Sequence, residues 1–212
     1  RHGIIWLWAG DAEKADPAHI PDFSFVPDTD SLRSVRGTTL MRADYQYGTD
    51  NLMDLSHIEF VHKGTFAGQG VIFAGKHNIR QDGETLHSDW WMPNIDPPTV
   101  AQGVVPPGGK VDHWLNIRWN APASMRLDVG ACPTGAEPET GLNVPQAHIL
   151  TPASEHESHY FWTASRNHDL DNPGVDAFLL NLFREAFDVE DKPMIEAAYA
   201  NLDGKDFWAA KP

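Results

Sequence analysis

The chain has 212 residues, 41% of them apolar and 22% charged, which is an ordinary composition for a folded domain with its own core. Sixteen basic residues against 30 acidic ones give a net charge of −14, and no basic cluster is present that could follow a phosphate backbone. The composition therefore argues against binding to nucleic acid or anionic lipid. The sequence has no run of about 18 apolar residues, so no membrane span is predicted.

The first 32 residues predict a short strand at residues 4–8 (IIWLW), followed by an irregular linker rich in Pro and Asp. The chain begins at Arg1 and shows no charged-then-apolar leader, so we expect a piece of a longer polypeptide without a secretory signal. Its one cysteine, Cys132, excludes an internal disulfide and fits a reducing cytoplasm.

Short runs of β-branched and aromatic residues follow the linker. They lie at residues 38–47, 71–80, 85–92, 99–105, 110–119, 125–131, 147–150 and 159–166. Clusters of Pro, Gly, Asn and Asp separate several of these runs, which is typical of an antiparallel meander.

Three stretches predict helices. Residues 50–61 lack Gly and Pro, residues 176–190 repeat apolar residues on one helical face, and residues 194–202 follow Pro193. Together the elements predict an α+β fold of the helix-grip kind, in which a curved antiparallel sheet packs on a long C-terminal helix. A cavity for a ligand is expected between the sheet and that helix.

The histidines at positions 57 and 62 are the candidates for chemistry. On one straight helix their side chains would start about 140° apart, so the spacing alone is weak evidence for a shared metal. Asp54, one turn before His57, could accept a hydrogen bond from the imidazole, as carboxylates do for metal-bound histidines. Two histidines and one carboxylate form the facial triad of non-haem iron(II).

The third ligand of such a triad has to come from far along the chain. Asp188, Glu190 and Asp191 are all candidates at the end of the long helix, and Asp191 could instead cap the helix that starts near Pro193.

Several segments together resemble the Rieske non-haem iron oxygenases, in particular the vanillate and dicamba O-demethylase group. The segments are residues 1–8 (RHGIIWLW), 50–57 (DNLMDLSH) with His62, 116–120 (NIRWN), 148–152 (HILTP), 159–162 (HYFW), 165–167 (SRN) and 190–192 (EDK). The resemblance spans nearly the whole chain and implies a catalytic domain with this fold.

The resemblance also implies roles for individual residues. His57, His62 and Asp191 match the ligands of a mononuclear iron(II). Asp54 matches the aspartate that hydrogen-bonds a ligand histidine and receives electrons from a neighbouring subunit, and Asn51 lies near the metal in relatives.

Substrate contacts follow from the same resemblance. His148 matches a histidine that contacts a substrate carboxylate. Leu115 and Leu127 stand where relatives place pocket asparagines, which puts a strongly polar substrate in doubt.

The implied reaction uses O2 to hydroxylate or O-demethylate an aromatic substrate, such as a methoxylated or carboxylated ring. Residues 1–212 are expected to form one catalytic domain. Its electrons are expected from a [2Fe–2S] Rieske cluster, which lies on a domain that this chain lacks. That domain is expected on a neighbouring subunit of a homotrimer, and a ferredoxin or flavin reductase is expected to supply it with electrons. Two other functions stay open: a non-catalytic helix-grip module that binds a hydrophobic ligand, and a zinc hydrolase that uses the same three ligands.

Overall fold

The structure is a computed structural model that describes residues 1–63, 65–66, 70–202, 204–205 and 208. Seven strands form its single described sheet. They are β1 (Arg33–Met41), β2 (Lys76–Asp82), β3 (Thr85–Ile95), β4 (Val111–Asn120), β5 (Ser124–Pro133), β6 (Leu142–Ser154) and β7 (Glu157–Arg166). The strand order is β1-β7-β6-β5-β4-β3-β2, and every neighbouring pair is antiparallel.

The inner face of the sheet carries the apolar core, because successive side chains of a strand point to opposite faces. Buried residues on this face are Leu115, Ile117, Leu127, Val129, Leu150, Tyr160 and Trp162. Gly37 on β1 is paired with Trp162 on β7, and a Cβ at Gly37 would lie only 2.0 Å from the indole ring. Glycine at this position therefore makes room for the largest side chain of the core.

The helices cover that inner face. They are α1 (Tyr45–Met53), α2 (Ile58–Val61), α3 (Pro173–Arg184) and α4 (Lys192–Asn201), and a π-helical turn (Glu185–Asp191) joins α3 to α4. The Asn172 side chain accepts a hydrogen bond from the Gly174 amide and caps α3. Phe183 and Phe187 pack on Trp162 with ring centroids 5.8 and 5.5 Å apart, so the long helix is held against the sheet by aromatic contacts. The predicted α+β fold, an antiparallel sheet with a C-terminal helix, is confirmed.

Several of the predicted strands are wrong in whole or in part. Residues 4–8 form no strand, and Ile5 and Leu7 are 98% and 91% exposed. Residues 99–105 form a short 3-10 turn (Thr99–Ala101) and a loop with Gly103 at φ +90°. The strand predicted at 38–47 begins earlier and ends at Met41, because the Asp44 side chain accepts from the Gln46 amide and starts α1.

The predictions for the other strands differ mainly at their ends. The strand predicted at residues 71–80 starts with a 3-10 turn (Ile72–Ala74), and β6 is longer than residues 147–150 in both directions. None of the helices in the described ranges is long and apolar enough to cross a membrane.

Candidate metal centre

A break in the chain after α1 sets the direction of both predicted ligand histidines. The Asp54 carboxylate accepts hydrogen bonds from the Ser56 amide (3.1 Å) and hydroxyl (2.6 Å), so a new 3-10 turn (Leu55–His57) starts there and leads into α2. The single straight helix predicted over residues 50–61 is therefore wrong. His57 ends this 3-10 turn and His62 follows the end of α2 at φ −97° and ψ 34°, and in this arrangement their rings lie 5.2 Å apart at an interplanar angle of 68°.

Asp191 meets the two histidines from the opposite end of the sequence. Its Oδ1 lies 3.3 Å from His62 Nε2 and 3.6 Å from His57 Nε2, and one ligand atom from each of the three residues lies within 4.8 Å of the others. Asp191 and His62 are buried, and His57 is partly buried. The structure thus brings together the three residues that the sequence predicted as a cluster.

Hydrogen bonds at the far side of each imidazole fix the orientation of both rings. His57 Nδ1 donates to the backbone carbonyl of Asp54 (2.6 Å), and His62 Nδ1 lies 2.7 Å from Glu190 Oε2. Glu190 Oε2 also accepts from the Thr65 hydroxyl at 2.6 Å. With Nδ1 engaged, each ring turns Nε2 toward Asp191, which is the arrangement that supports metal-bound histidines.

One sequence prediction at this site needs correction. The contact expected between the Asp54 carboxylate and a ligand histidine is not made, because that carboxylate is occupied by Ser56 and only the Asp54 carbonyl reaches His57. Asp188, one of the candidate third ligands, accepts instead from the Thr39 hydroxyl at the sheet. The partner role of Glu190 was missed, and the only sequence signal for it was its place next to Asp191.

The two histidines have opposite pKa shifts. Burial lowers the pKa of His57 and outweighs the opposing charge of Asp191. Burial also acts to lower the pKa of His62, but the nearby carboxylates of Asp191 and Glu190 outweigh it and raise that pKa above its usual value. The two carboxylates therefore favour positive charge at His62, whereas burial disfavours it at His57.

The cluster lines a cavity between the sheet and the helices. The atom-free space there, part of which is open to solvent, is about 740 Å³. The wall is mainly apolar and includes Leu52, Leu55, Ile58, Phe66, Leu115 and Leu127. Such a cavity is suited to a flat apolar ligand of small size.

The remaining predicted site residues lie at different depths around the cavity. His148 is 1% exposed and lines the cavity, and its Nδ1 lies 2.6 Å from the Tyr160 hydroxyl. Asn51 is half-buried in the last turn of α1 and is not among the described lining residues, whereas its neighbour Leu52 is. Asp54 is exposed at the protein surface.

Comparisons with known proteins agree over nearly the whole chain. Residues 41–212 match the family described as the vanillate O-demethylase oxygenase C-terminal domain. The oxygenase component of chloroacetanilide N-alkylformylase from Rhizorhabdus wittichii is 30% identical over 214 residues, covering 100% of this chain and 61% of that protein. The oxygenase component of dicamba O-demethylase from Stenotrophomonas maltophilia is 33% identical over 212 residues, covering 96% of this chain and 61% of that protein.

Solved structures give the same result. Dicamba monooxygenase bound to 3,6-dichlorosalicylic acid has a TM-score of 0.91 at 30% identity, and the match covers 100% of this chain and 62% of that one. Dicamba monooxygenase with non-haem iron and dicamba has a TM-score of 0.80 at 29% identity, over 100% of this chain and 60% of that one. The chain therefore spans about three fifths of the length of the relatives it matches.

Proposed function

The chain belongs to the vanillate O-demethylase oxygenase C-terminal domain family of Rieske oxygenases, and on this premise we propose that residues 1–212 are the single catalytic domain of an oxygenase that hydroxylates or O-demethylates an aromatic substrate. The observation that carries the proposal is the meeting of His57, His62 and Asp191 in the wall of an apolar cavity. A mononuclear iron(II) held by these three residues is the cofactor.

The geometry of the three side chains supports a metal ion. Metal bonds of about 2.1 Å that meet at about 90–110° place their donor atoms about 3.0–3.4 Å apart, and Asp191 Oδ1 lies 3.3 and 3.6 Å from the two Nε2 atoms. Asp191 Oδ1 is also fully buried and, within the described part of the chain, has no hydrogen-bond donor with acceptable geometry. A buried carboxylate oxygen is costly unless it is compensated, and a metal ion supplies that compensation.

The donor set fits iron(II). Two imidazoles and one carboxylate with open positions are the ligands of non-haem iron(II) oxygenases. When bound, the iron supplies a centre at which O2 is reduced next to the substrate. The Asp54 backbone carbonyl and the Glu190 carboxylate hold the imidazoles in the tautomer that leaves Nε2 free. The apolar wall excludes water and orients one carbon of the substrate.

Electrons for the reaction come from another part of the assembly in this proposal. A Rieske [2Fe–2S] cluster needs two cysteines and two histidines, and this chain has only the buried Cys132. The exposed Asp54, three residues before His57, faces the Rieske domain of a neighbouring subunit in a homotrimer, and a ferredoxin or flavin reductase supplies that domain. Asn51 lies in the helix turn next to this path, and the free thiol of Cys132 fits a cytoplasmic protein.

Metal analysis tests the centre without relying on activity. After anaerobic reconstitution with iron(II) and removal of excess metal, about one iron per chain is expected, as a single three-ligand site implies. His57→Ala, His62→Ala and Asp191→Ala should each lose the iron, whereas His159→Ala, which changes an exposed histidine on β7, should keep it. Undiminished iron in all three ligand variants would refute the metal centre, and the function that remains would be a module that binds a hydrophobic ligand.

Turnover with the complete electron chain separates the oxygenase from a hydrolase. The oxygenase consumes O2 and needs an electron donor, and O-demethylation releases formaldehyde. Product formation without O2 and without a donor would instead support a zinc hydrolase built on the same three ligands.

A further inference from the structure

A second depression adjoins the cavity and lies between the loop that follows β3, the strand β6 and the helix α3. Its atom-free space, part of which is open to solvent, is about 1560 Å³. Five of the residues that line it are large and apolar: Leu142, Val144, Val175, Phe178 and Leu179. We call this depression the distal groove. Phe178 is 49% exposed there, so the groove has apolar surface that a ligand could cover.

The cavity and the distal groove follow one another along β6. Alternate residues of a strand point to the same face of the sheet, and four such residues of β6 line these spaces: Leu142, Val144, Gln146 and His148. Gln146 and His148 line the cavity, whereas Leu142 and Val144 line the distal groove. Val144 is also paired across the sheet with Val129, which lines the cavity. The two spaces are therefore neighbours on the inner face of the sheet.

The loop that follows β3 forms the wall between the two spaces. Pro98 lines the cavity, and Thr99 and residues 102–104 line the distal groove. Val100, in the 3-10 turn Thr99–Ala101, lines both. It is the residue that the described linings of the cavity and the groove share, so the size of its side chain determines whether the two spaces are separate.

Hydrogen bonds and packing hold this turn in place. The Ala101 amide donates to the Pro98 carbonyl at 2.8 Å, and Gln102 Nε2 donates to the Pro97 carbonyl at 2.8 Å. Ala101 is fully buried and belongs to the same apolar cluster as Val111 of β4. A ligand that pushed the turn aside would have to disturb these contacts, so Val100 is a fixed part of the wall.

We infer that Val100 determines the length of the substrate that the oxygenase accepts. With valine at this position the cavity is closed toward the distal groove and takes a compact molecule with one aromatic ring. A longer rigid molecule has to shift side chains and backbone of a packed wall, which is unfavourable. With a smaller residue, the cavity and the groove become one space that takes a rigid molecule with two rings. The inference rests on the proposed function, because it takes the cavity to be the substrate site of that oxygenase.

Two rigid probes of different length test this inference by binding, without turnover. 4-Methoxyphenol has one ring, and 4′-methoxybiphenyl-4-ol has a second ring on the same axis; both phenols are uncharged at pH 7.5. Each is titrated by calorimetry under anaerobic conditions into iron(II)-loaded and metal-free protein. Val100→Ala should bind the two-ring probe about 10-fold more tightly than the original protein does, which corresponds to about 1.4 kcal/mol, and the one-ring probe within about 2-fold.

Two further substitutions show where the gain arises. Val104→Ala removes the same two methyl groups from the same loop, but Val104 lines the distal groove and is not among the described residues that line the cavity, so both affinities should stay unchanged. Phe178→Ala removes an aromatic ring of the groove. Combined with Val100→Ala it should weaken binding of the two-ring probe about 5-fold, as expected for the loss of one aromatic contact, and alone it should change neither affinity.

The possible results separate this inference from the proposed function. If Val100→Ala leaves the ratio of the two affinities unchanged, or if Val104→Ala shifts it equally, the inference is overturned. The oxygenase would still be supported in that case by iron that depends on His57, His62 and Asp191. A gain confined to Val100→Ala, together with iron that ignores all three ligand substitutions, would support the length limit of the cavity and refute the oxygenase.

Discussion

Replacement of His113 by Gln should remove part of the acid sensitivity of the fold. His113 is 6% exposed, and burial lowers its pKa from 6.5 to about 4, with the Gly130 hydrogen bond opposing this in part. Between these two values the unfolded chain binds a proton that the folded chain does not. Stability must therefore be lost as the pH falls from 6.5 toward 4, and it is fully present above 6.5.

The size of the effect follows from the width of this window. Each pH unit within it is worth about 1.36 kcal/mol, so lowering the pH from 7.5 to 5 costs about 2 kcal/mol at this one residue. Gln does not titrate, and its amide can still donate to the Gly130 carbonyl. The difference in unfolding free energy between pH 7.5 and pH 5 should thus be about 2 kcal/mol smaller in His113→Gln than in the original protein.

Urea unfolding of metal-free protein at both pH values, with a chelator present, measures that difference. Comparing the change with pH, rather than the stability itself, cancels any pH-independent cost of the substitution. His148, whose pKa is lowered to about 3 by burial, adds acid sensitivity of the same sign to both proteins and also cancels. The reasoning is refuted if His113→Gln loses as much stability on acidification as the original protein, while the exposed control His159→Gln behaves like the original.

Three further substitutions test the supports of the centre and the core. Glu190→Gln weakens the partner of His62 Nδ1 and should lower iron(II) affinity about 10–100-fold, measured by competition with a chelator; unchanged affinity would contradict the supporting role. Asp54→Asn should keep the iron and nearly stop turnover in the complete system, and normal turnover would exclude a role for this carboxylate in electron transfer. Gly37→Ala forces a Cβ against Trp162 and should lower the unfolding free energy by about 1–3 kcal/mol, whereas exposed Arg36→Ala should change it little.

The elements that sequence patterns identified are those in which one local rule agrees with the packing. Alternation and turn residues located β3, β4, β5 and β7 within a few residues, because each of these strands has one face in the core. The run at residues 4–8 is equally apolar, but an apolar run alone is not sufficient for a strand. Ile4 and Trp6 pack beside Phe23, while Ile5 and Leu7 have no described cover and no partner strand.

The residues of the cluster could be predicted from the sequence, but the local structure that brings His57 and His62 together could not. The sequence contains no signal that a helix has to stop at Asp54, since residues 50–61 form an uninterrupted pattern for one helix. Asp54 favours a turn only because its carboxylate also finds the Ser56 amide and hydroxyl, a local competition that helical periodicity does not detect. His57 ends this turn and His62 follows the end of the short α2, and there the two rings lie 5.2 Å apart.

The π-helical turn explains how two consecutive acidic residues reach the same histidine, His62. In an α-helix neighbouring residues are about 100° apart, so Glu190 and Asp191 would point in clearly different directions. A π turn has more residues per turn, which narrows that angle, and here Glu190 reaches His62 Nδ1 while Asp191 reaches Nε2 of the same ring. One carboxylate then orients the imidazole and the next completes the cluster of His57, His62 and Asp191. Phe187 of the same turn packs on Trp162, as Phe183 of α3 does, so the turn is also anchored on the sheet.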